Sequence, residues 1–275
     1  DDYMVEIEPI VAETPYMVVV GNHESECHSP ACQVSPTKLK ALSNFSAFNT
    51  RFTMPSKESS GSASMWYSFD HGPLHVVSID TESDFPGAPN NSWTWLTDNG
   101  GYCDAVSGCS SWLAWLEEDL ASVNRSETPW VLVGGHRPLY SVVESDSDGF
   151  PTNDAAQLQS QVEDIFSEYG VDFYYCGHEH SYERQYPVYQ SEVQGDTYDD
   201  PTATIHILTG AGGEDEGHSR YDDSLTRSWN AMWDNTHYGY GVLTVKSASE
   251  LVWNQIDSAT GESIDEITVT KTSVA

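Results

Sequence analysis

Val171-Asp172-Phe173-Tyr174-Tyr175-Cys176-Gly177-His178-Glu179-His180-Ser181-Tyr182-Glu183-Arg184 is the stretch that decides the fold. The run Val171–Cys176, rich in Val, Phe and Tyr, predicts a buried strand. Two histidines one residue apart at a strand end face the same way, because an extended chain alternates its side chains with period two. Their α-carbons then stand roughly 6.5–7 Å apart, so each ring can serve a different ion of a metal pair spaced about 3.5–4 Å. Glu179 is expected on the opposite face. A lone His-x-His is equally compatible with two ordinary loop histidines.

The chain builds the same construction twice more. Met17-Val18-Val19-Val20 runs into Gly21-Asn22-His23-Glu24, and Trp130-Val131-Leu132-Val133 runs into Gly134-Gly135-His136-Arg137-Pro138. Each is an apolar run, then glycine, then a metal-competent side chain. Continuous apolar strands separated by helices predict a parallel sheet buried on both faces, with functional groups gathered beyond the carboxyl ends of its strands. Asn22, His23, His136, His178 and His180 thereby share one expected location.

Composition narrows the partners. The formal charge of −32, from 43 acidic against 11 basic residues, argues against nucleic acid and anionic membrane surfaces, which need a positive face. Self-repulsion of that size eases when carboxylates are protonated, so an acidic working environment is expected, with a salt-rich one as the other way to carry the charge. Nine Trp and fifteen Tyr in 275 residues supply a substantial core, enough for one large domain or two small ones. No apolar run approaches the ~20 residues that span a bilayer. The chain begins with Asp1 and shows no signal peptide, which points to a processed chain or a fragment. Sequons at Asn44, Asn90 and Asn124 and the cysteine spacing favour secretion. Of five cysteines, Cys27 and Cys32 are neighbours, as are Cys103 and Cys109, so two local disulfides are the economical pairing. Cys176, ending an apolar strand, reads as a buried free thiol.

Along the chain, residues 1–11 and 37–48 carry apolar residues at helical spacing, and residues 64–80 read as a hairpin turning at His71-Gly72-Pro73. His71 and His75 lie in or beside that turn and read as ordinary strand or surface histidines. Trp93 and Trp95 lie in a long loop and either line the cleft or anchor the loop. Residues 112–123 and 155–169 are amphipathic helices, the second stopped by Gly170. Beyond Arg184 the pattern becomes strand-rich and predicts an antiparallel tail. The organisation expected is one catalytic domain over 1–275, with a parallel α/β part at 1–184 that carries the ligands and a strand-rich tail at 185–275. Thr209-Gly210-Ala211-Gly212-Gly213 has no helix after it and is a weak phosphate-cradling loop. His206, His218 and His237 lack comparable flanks and read as structural.

Imidazoles plus an amide oxygen, with no cysteine in the set, suit borderline metals such as zinc, iron or manganese. Two such ions side by side generate a nucleophile from water and clamp the attacking and leaving oxygens of a displacement at phosphorus. A spare histidine beside an Asn ligand can protonate the leaving group.

GNHE, GGHRP and GHEHSYER, in this order and separation, resemble the last three motif blocks of the calcineurin-like metallophosphoesterases. GHxHxYER together with the HYGYG tail at His237–Gly241 is similar to the purple acid phosphatases, particularly the secreted fungal and plant ones. The resemblance implies an α/β fold of two packed mixed β-sheets flanked by helices, here lacking its amino-terminal strands. It implies an acid phosphatase that hydrolyses phosphate monoesters by a metal-bound hydroxide, with a phosphodiesterase on the same scaffold or a non-catalytic, metal-depleted fragment as alternatives. Asn22, His136 and His178 would bind the second metal (Zn, Mn or Fe(II)) and His180 the first, Fe(III), with His23 as acid and phosphate contact. The family's two earlier blocks, Asp-x-Gly and Gly-Asp-x-x-Tyr, are absent. They supply two carboxylates and a tyrosinate, so an amino-terminal segment of the same enzyme is the expected partner beside a small phosphate ester. Gly195-Asp196-Thr197-Tyr198 follows the last block, has its tyrosine one residue early, and reads as a decoy. Glu144 and Asp146 stand where many plant members carry histidines, which alters the substrate-contacting set.

Overall fold

The computed structural model describes residues 2–25, 34–89, 101–109, 111–221, 224 and 227–272. Cys27, Cys32, Asn90, Trp93 and Trp95 lie outside the described residues. Helices α1 (Asp2–Val11), α2 (Pro36–Leu42) and α3 (Ser46–Arg51) precede the hairpin of β1 (Tyr67–His71) and β2 (Leu74–Ser78). Helix α4 (Trp112–Ser122) leads to β3 (Trp130–Gly134), and helix α5 (Asn153–Tyr169) to β4 (Phe173–Cys176) and β5 (Tyr182–Gln185). The short pair β6 (Val188–Tyr189) and β7 (Glu192–Val193) is followed by β8 (Ile205–Thr209) and β9 (Asn230–Asp234). Strands β10 (Gly239–Ser247), β11 (Glu250–Asp257) and β12 (Ser263–Thr270) complete the described chain.

Seven strands form the main sheet in the order β1-β2-β3-β4-β8-β5-β9. Its centre, β2-β3-β4-β8, is parallel, and β1, β5 and β9 join by antiparallel pairing. Strand alternation splits the core in two. Val131, Val133 and Tyr174 face α4 and α5, burying against Trp112, Leu116, Leu158, Val162 and Phe166. Trp130, Phe173, Ile205 and Ile207 face the antiparallel sheet β10-β11-β12, packing on Leu251, Trp253, Ile267 and Val269. Each side chain of this kind contributes about 1.5–3 kcal/mol when fully buried, so both faces of the main sheet are secured. Gly170, at φ 63, closes α5 and turns the chain into β4. The main sheet is mixed, whereas the second sheet is antiparallel throughout.

Several expectations are corrected. Val20 is buried, yet the run Met17–Val20 belongs to no strand; among the described residues no ladder pairs with it. Apolar β-branched residues dictate extension, but a strand requires a hydrogen-bonded neighbour. The single helix expected over 37–48 is broken between α2 and α3, where Asn44 (φ 53) and Phe45 (φ 58) adopt left-handed backbone and Phe45 buries. The strand-rich stretch after Arg184 divides: β8 and β9 enter the main sheet, and β10–β12 alone form the antiparallel layer. Cys103 and Cys109 are disulfide-bonded, and Cys176 is a buried free thiol beside the Ile207 carbonyl. Among the described residues no helix is long and apolar enough to cross a membrane.

Candidate metal centre

Three chain segments meet at the carboxyl rim of the parallel strands. Gly21 ends the apolar run and the chain turns at once into a 3-10 helix, Asn22–Glu24, held by the Gly21 amide donating to Glu24 Oε2 at 2.9 Å. His136 follows β3 across Gly134 and Gly135. A Cβ on Gly134 would stand 2.2 Å from the Tyr175 ring, so glycine lets the end of β3 lie against β4. The Gly135 amide donates to the Tyr175 carbonyl (3.1 Å) and the Gly177 amide to the His136 carbonyl (2.9 Å), fixing the two strand ends side by side. The His136 and His178 rings therefore meet edge to face at 5.0 Å. Asn22, His23, His136, His178 and His180 all line one cleft of about 560 Å³.

The period-two geometry expected of His178-Glu179-His180 does not hold. His178 has φ 68, and short-range bonds from Glu179 N to Gly177 O and from Ser181 N to Glu179 O curl the segment. Glu179 in consequence lies along the cleft instead of opposite it, with one carboxylate oxygen accepting from Ser219 Oγ at 2.8 Å. His180 is fixed from another direction. Its amide donates to Ser219 Oγ, and its Nδ1 lies 3.0 Å from the Gly217 carbonyl. A carbonyl only accepts, so Nδ1 carries a proton and donates to it, which leaves Nε2 as the ring's ligand position. Gly210 permits this bend, since a Cβ there would stand 2.0 Å from the Glu179 carbonyl oxygen. Gly210, directly after β8, thus serves close packing at the cleft, whereas a Cβ on Gly212 or Gly213 would meet open space.

The donor chemistry at His136 is unbalanced. Its Nε2 lies 2.7 Å from Asn22 Oδ1 and 3.2 Å from His178 Nδ1. A neutral ring nitrogen either donates or accepts, so its single position cannot do one toward Asn22 and the other toward His178 together. Burial, then the charges of His178, Arg137, His23 and His180, hold His136 well below the usual histidine range. Burial, then Arg137 and His180, push His178 down to about 3. Both rings are thus neutral lone-pair donors. Ligands about 2.0–2.1 Å from one ion stand roughly 3 Å from each other, which is close to the spacings from His136 Nε2 to Asn22 Oδ1 and to His178 Nδ1. Asn22, His136 and His178 could hold one borderline metal ion, for which His178 must carry its proton on Nε2, the nitrogen that the Arg137 guanidinium faces at 3.1 Å. For a second ion the described residues offer His180, whose nitrogens lie 3.8 Å from Glu214 and 3.9 Å from Glu216.

Sequence reasoning passes over Arg137. It is buried, holds Glu82 through Nε and Asp154 through Nη1, and places Nη1 3.1 Å from His178 Nε2. Its signal was its place directly after His136. Glu144 offers an oxygen within 4.8 Å of ligand atoms of His178 and Glu179, and burial and the Glu179 charge push its carboxyl up to about 7. Asp146 instead accepts from the amides of Asp148 and Phe150 in its own loop. Tyr198 of the decoy lies under the Arg184 guanidinium and packs on the core between the sheets. Of the other histidines, His75 and His206 are buried and His237 pairs with Asp234.

A model of the calcineurin-like phosphoesterases matches residues 1–182, and one of the iron/zinc purple acid phosphatase-like protein C matches residues 203–266. An acid phosphatase of Aspergillus ficuum is 33% identical over 318 residues, covering 96% of this chain and 50% of the relative. Acid phosphatase A of Cryphonectria parasitica is 34% identical over 294 residues, covering 98% of this chain and 56% of the relative. The chain thus spans about half the length of these relatives. The structure of a purple acid phosphatase from yellow lupin (Lupinus luteus) seeds superposes with a TM-score of 0.71 at 24% identity, over 98% of this chain and 43% of that one, a likeness of fold. With a family match over residues 1–182, the chain belongs to the calcineurin-like phosphoesterase family, and its residues 203–266 are similar to the iron/zinc purple acid phosphatase-like protein C.

Proposed function

We propose that the chain is the carboxyl-terminal portion of an acid phosphatase catalytic domain that hydrolyses phosphate monoesters at a binuclear metal centre. The observation that carries this is the meeting of Asn22 Oδ1, His136 Nε2 and His178 Nδ1, three donor atoms with fewer protons than their contacts need. Asn22, His136 and His178 would hold one ion (Zn, Mn or Fe(II)) and His180 the other, Fe(III). When bound, the pair supplies Lewis acidity toward phosphoryl oxygens and lowers the pKa of water. The chain's own part is orientation and proton supply. The Gly217 carbonyl sets the His180 tautomer, and His23, exposed at the cleft, holds the proton for the leaving oxygen. His180 is alone in its set, and the two carboxylate-bearing blocks are absent from this sequence, so an amino-terminal segment of the same enzyme completes the site.

Secretion belongs to the same proposal, supported by the Cys103–Cys109 disulfide and the sequons at Asn44 and Asn124, with Asn90 a third. Native material assayed with a monoester and a diester of the same phenol tests the function, alongside metal analysis. About two metal ions per complex and faster turnover of the monoester are expected. Full activity in a metal-free preparation would refute it, and preference for the diester would make the protein a phosphodiesterase.

A further inference from the structure

One imidazole, held between two carboxylates, fastens the hairpin β1–β2 to helix α4. His75 on β2 places Nδ1 2.7 Å from Asp70 Oδ1 on β1 and Nε2 2.9 Å from Asp119 Oδ2 on α4. Ser68 on β1 donates to the other oxygen of Asp119 at 2.5 Å. Ionised carboxylates only accept hydrogen bonds, and a neutral imidazole has one N–H. Both ring contacts are satisfied between ionised partners only when the ring carries two protons.

The surroundings favour that charged form. Glu58 and Glu118 join Asp70 and Asp119 in walling a cleft of about 690 Å³ beside the ring, and no Lys or Arg lines it among the described residues. His75 and Asp119 side chains are each 9% exposed, so water cannot replace their contact, whereas Asp70 is 65% exposed and readily rehydrated. Burial opposes the charge on His75, but the hydrogen bonds and charges of Asp119 and Asp70 outweigh it and raise its pKa.

We propose that His75 is an acid-side latch: as imidazolium it joins Asp70 of β1 to Asp119 of α4, and on losing a proton to solvent it keeps Asp119 and lets Asp70 go. The latch stabilises below the value of about 6.5 that an unfolded histidine shows, and its contribution is lost as pH rises through the folded value. Its reach extends to the rim. β2 runs into Asp80-Thr81-Glu82, and Glu82 holds Arg137 with both oxygens at 3.0 Å beside His136. The latch does not depend on the phosphatase proposal, and its test does not read activity.

The test follows the His75 ring resonances across pH in the wild-type chain, and thermal unfolding of wild type and His75→Gln from about pH 5 to about pH 8. The ring is expected to titrate above the free-imidazole value. The unfolding-midpoint difference between wild type and variant should be largest in acid and shrink toward alkaline pH. A ring titrating at or below the free value, or a difference flat with pH, overturns the proposal. Should His75→Gln fail to fold, Asp119→Asn replaces it: the His75 titration must then move down, and an unmoved titration is equally fatal.

Discussion

Asn22 Oδ1 stands 2.7 Å from His136 Nε2, although 114 positions separate the two residues. An amide oxygen and a buried neutral imidazole are held there by bonds at the Gly21 and Gly135 backbone, so the fold itself brings the donor pair together. Zinc or manganese at a hundredfold excess over its dissociation constant should therefore stabilise the chain by about 2.7 kcal/mol, read as a rise in the unfolding midpoint. His136→Ala should abolish that rise. A midpoint indifferent to both ions in the wild-type chain would remove the metal centre from the proposal.

Two of the three rim segments are legible in the sequence, because the apolar runs 130–133 and 171–176 stop at glycine as buried strands; Met17–Val20 shows the same pattern yet pairs with no strand among the described residues. The His136 and His178 positions follow from that. β5 is different. Tyr182-Glu183-Arg184-Gln185 shows no apolar alternation, yet all four residues are buried. Arg184 is neutralised by Asp265, 81 positions away, and Glu183 accepts hydrogen bonds from the Ser141 and Tyr221 hydroxyls, so no local pattern records that the segment is interior. His178 fails for a related reason: its positive φ is imposed by packing of the bend on Gly210, which alternation along one strand cannot anticipate.

Arg137 and Glu82 form a buried pair whose side chains are 4% and 2% exposed. Removing Arg137 leaves Glu82, whose carboxyl burial already pushes up to about 7, dry and without its cation. Arg137→Met should destabilise the chain by about 3–5 kcal/mol, and the double variant Arg137→Met/Glu82→Gln by markedly less. Urea unfolding measures both. Equal losses in the single and double variants would show that packing of the stem, and not charge, accounts for the effect.

Glu183 is wholly buried and accepts from Ser141 Oγ, the Val142 amide, Gln185 Nε2 and the Tyr221 hydroxyl. It thereby joins the loop carrying Glu144 to the segment whose Ser219 fixes His180. Glu183→Leu strands several donors, each costing about 1–3 kcal/mol, and is expected to lower stability severely. The milder Glu183→Gln should raise amide exchange at Val142 and around Ser219–Tyr221 while sparing α4. Uniform exchange across the chain would mean that Glu183 supports the fold at large.

His206 carries the opposite pH signature to His75. It is 2% exposed, its ring lies edge-on 4.9 Å from Tyr140, and neither ring nitrogen has a hydrogen-bond partner among the described residues. Burial pushes its pKa down to about 3. The unfolded chain takes up a proton there below about pH 6.5 while the folded chain does not, so stability falls as pH drops from that value toward the folded one. At about pH 5 the loss is roughly 2 kcal/mol. His206→Phe keeps the aromatic stacking and removes the proton site. It should raise the unfolding midpoint relative to wild type, with the gain growing from pH 7 to pH 5; His206→Leu guards against overpacking. A gain that does not change with pH in either variant would mean that the folded chain protonates His206 as readily as the unfolded one.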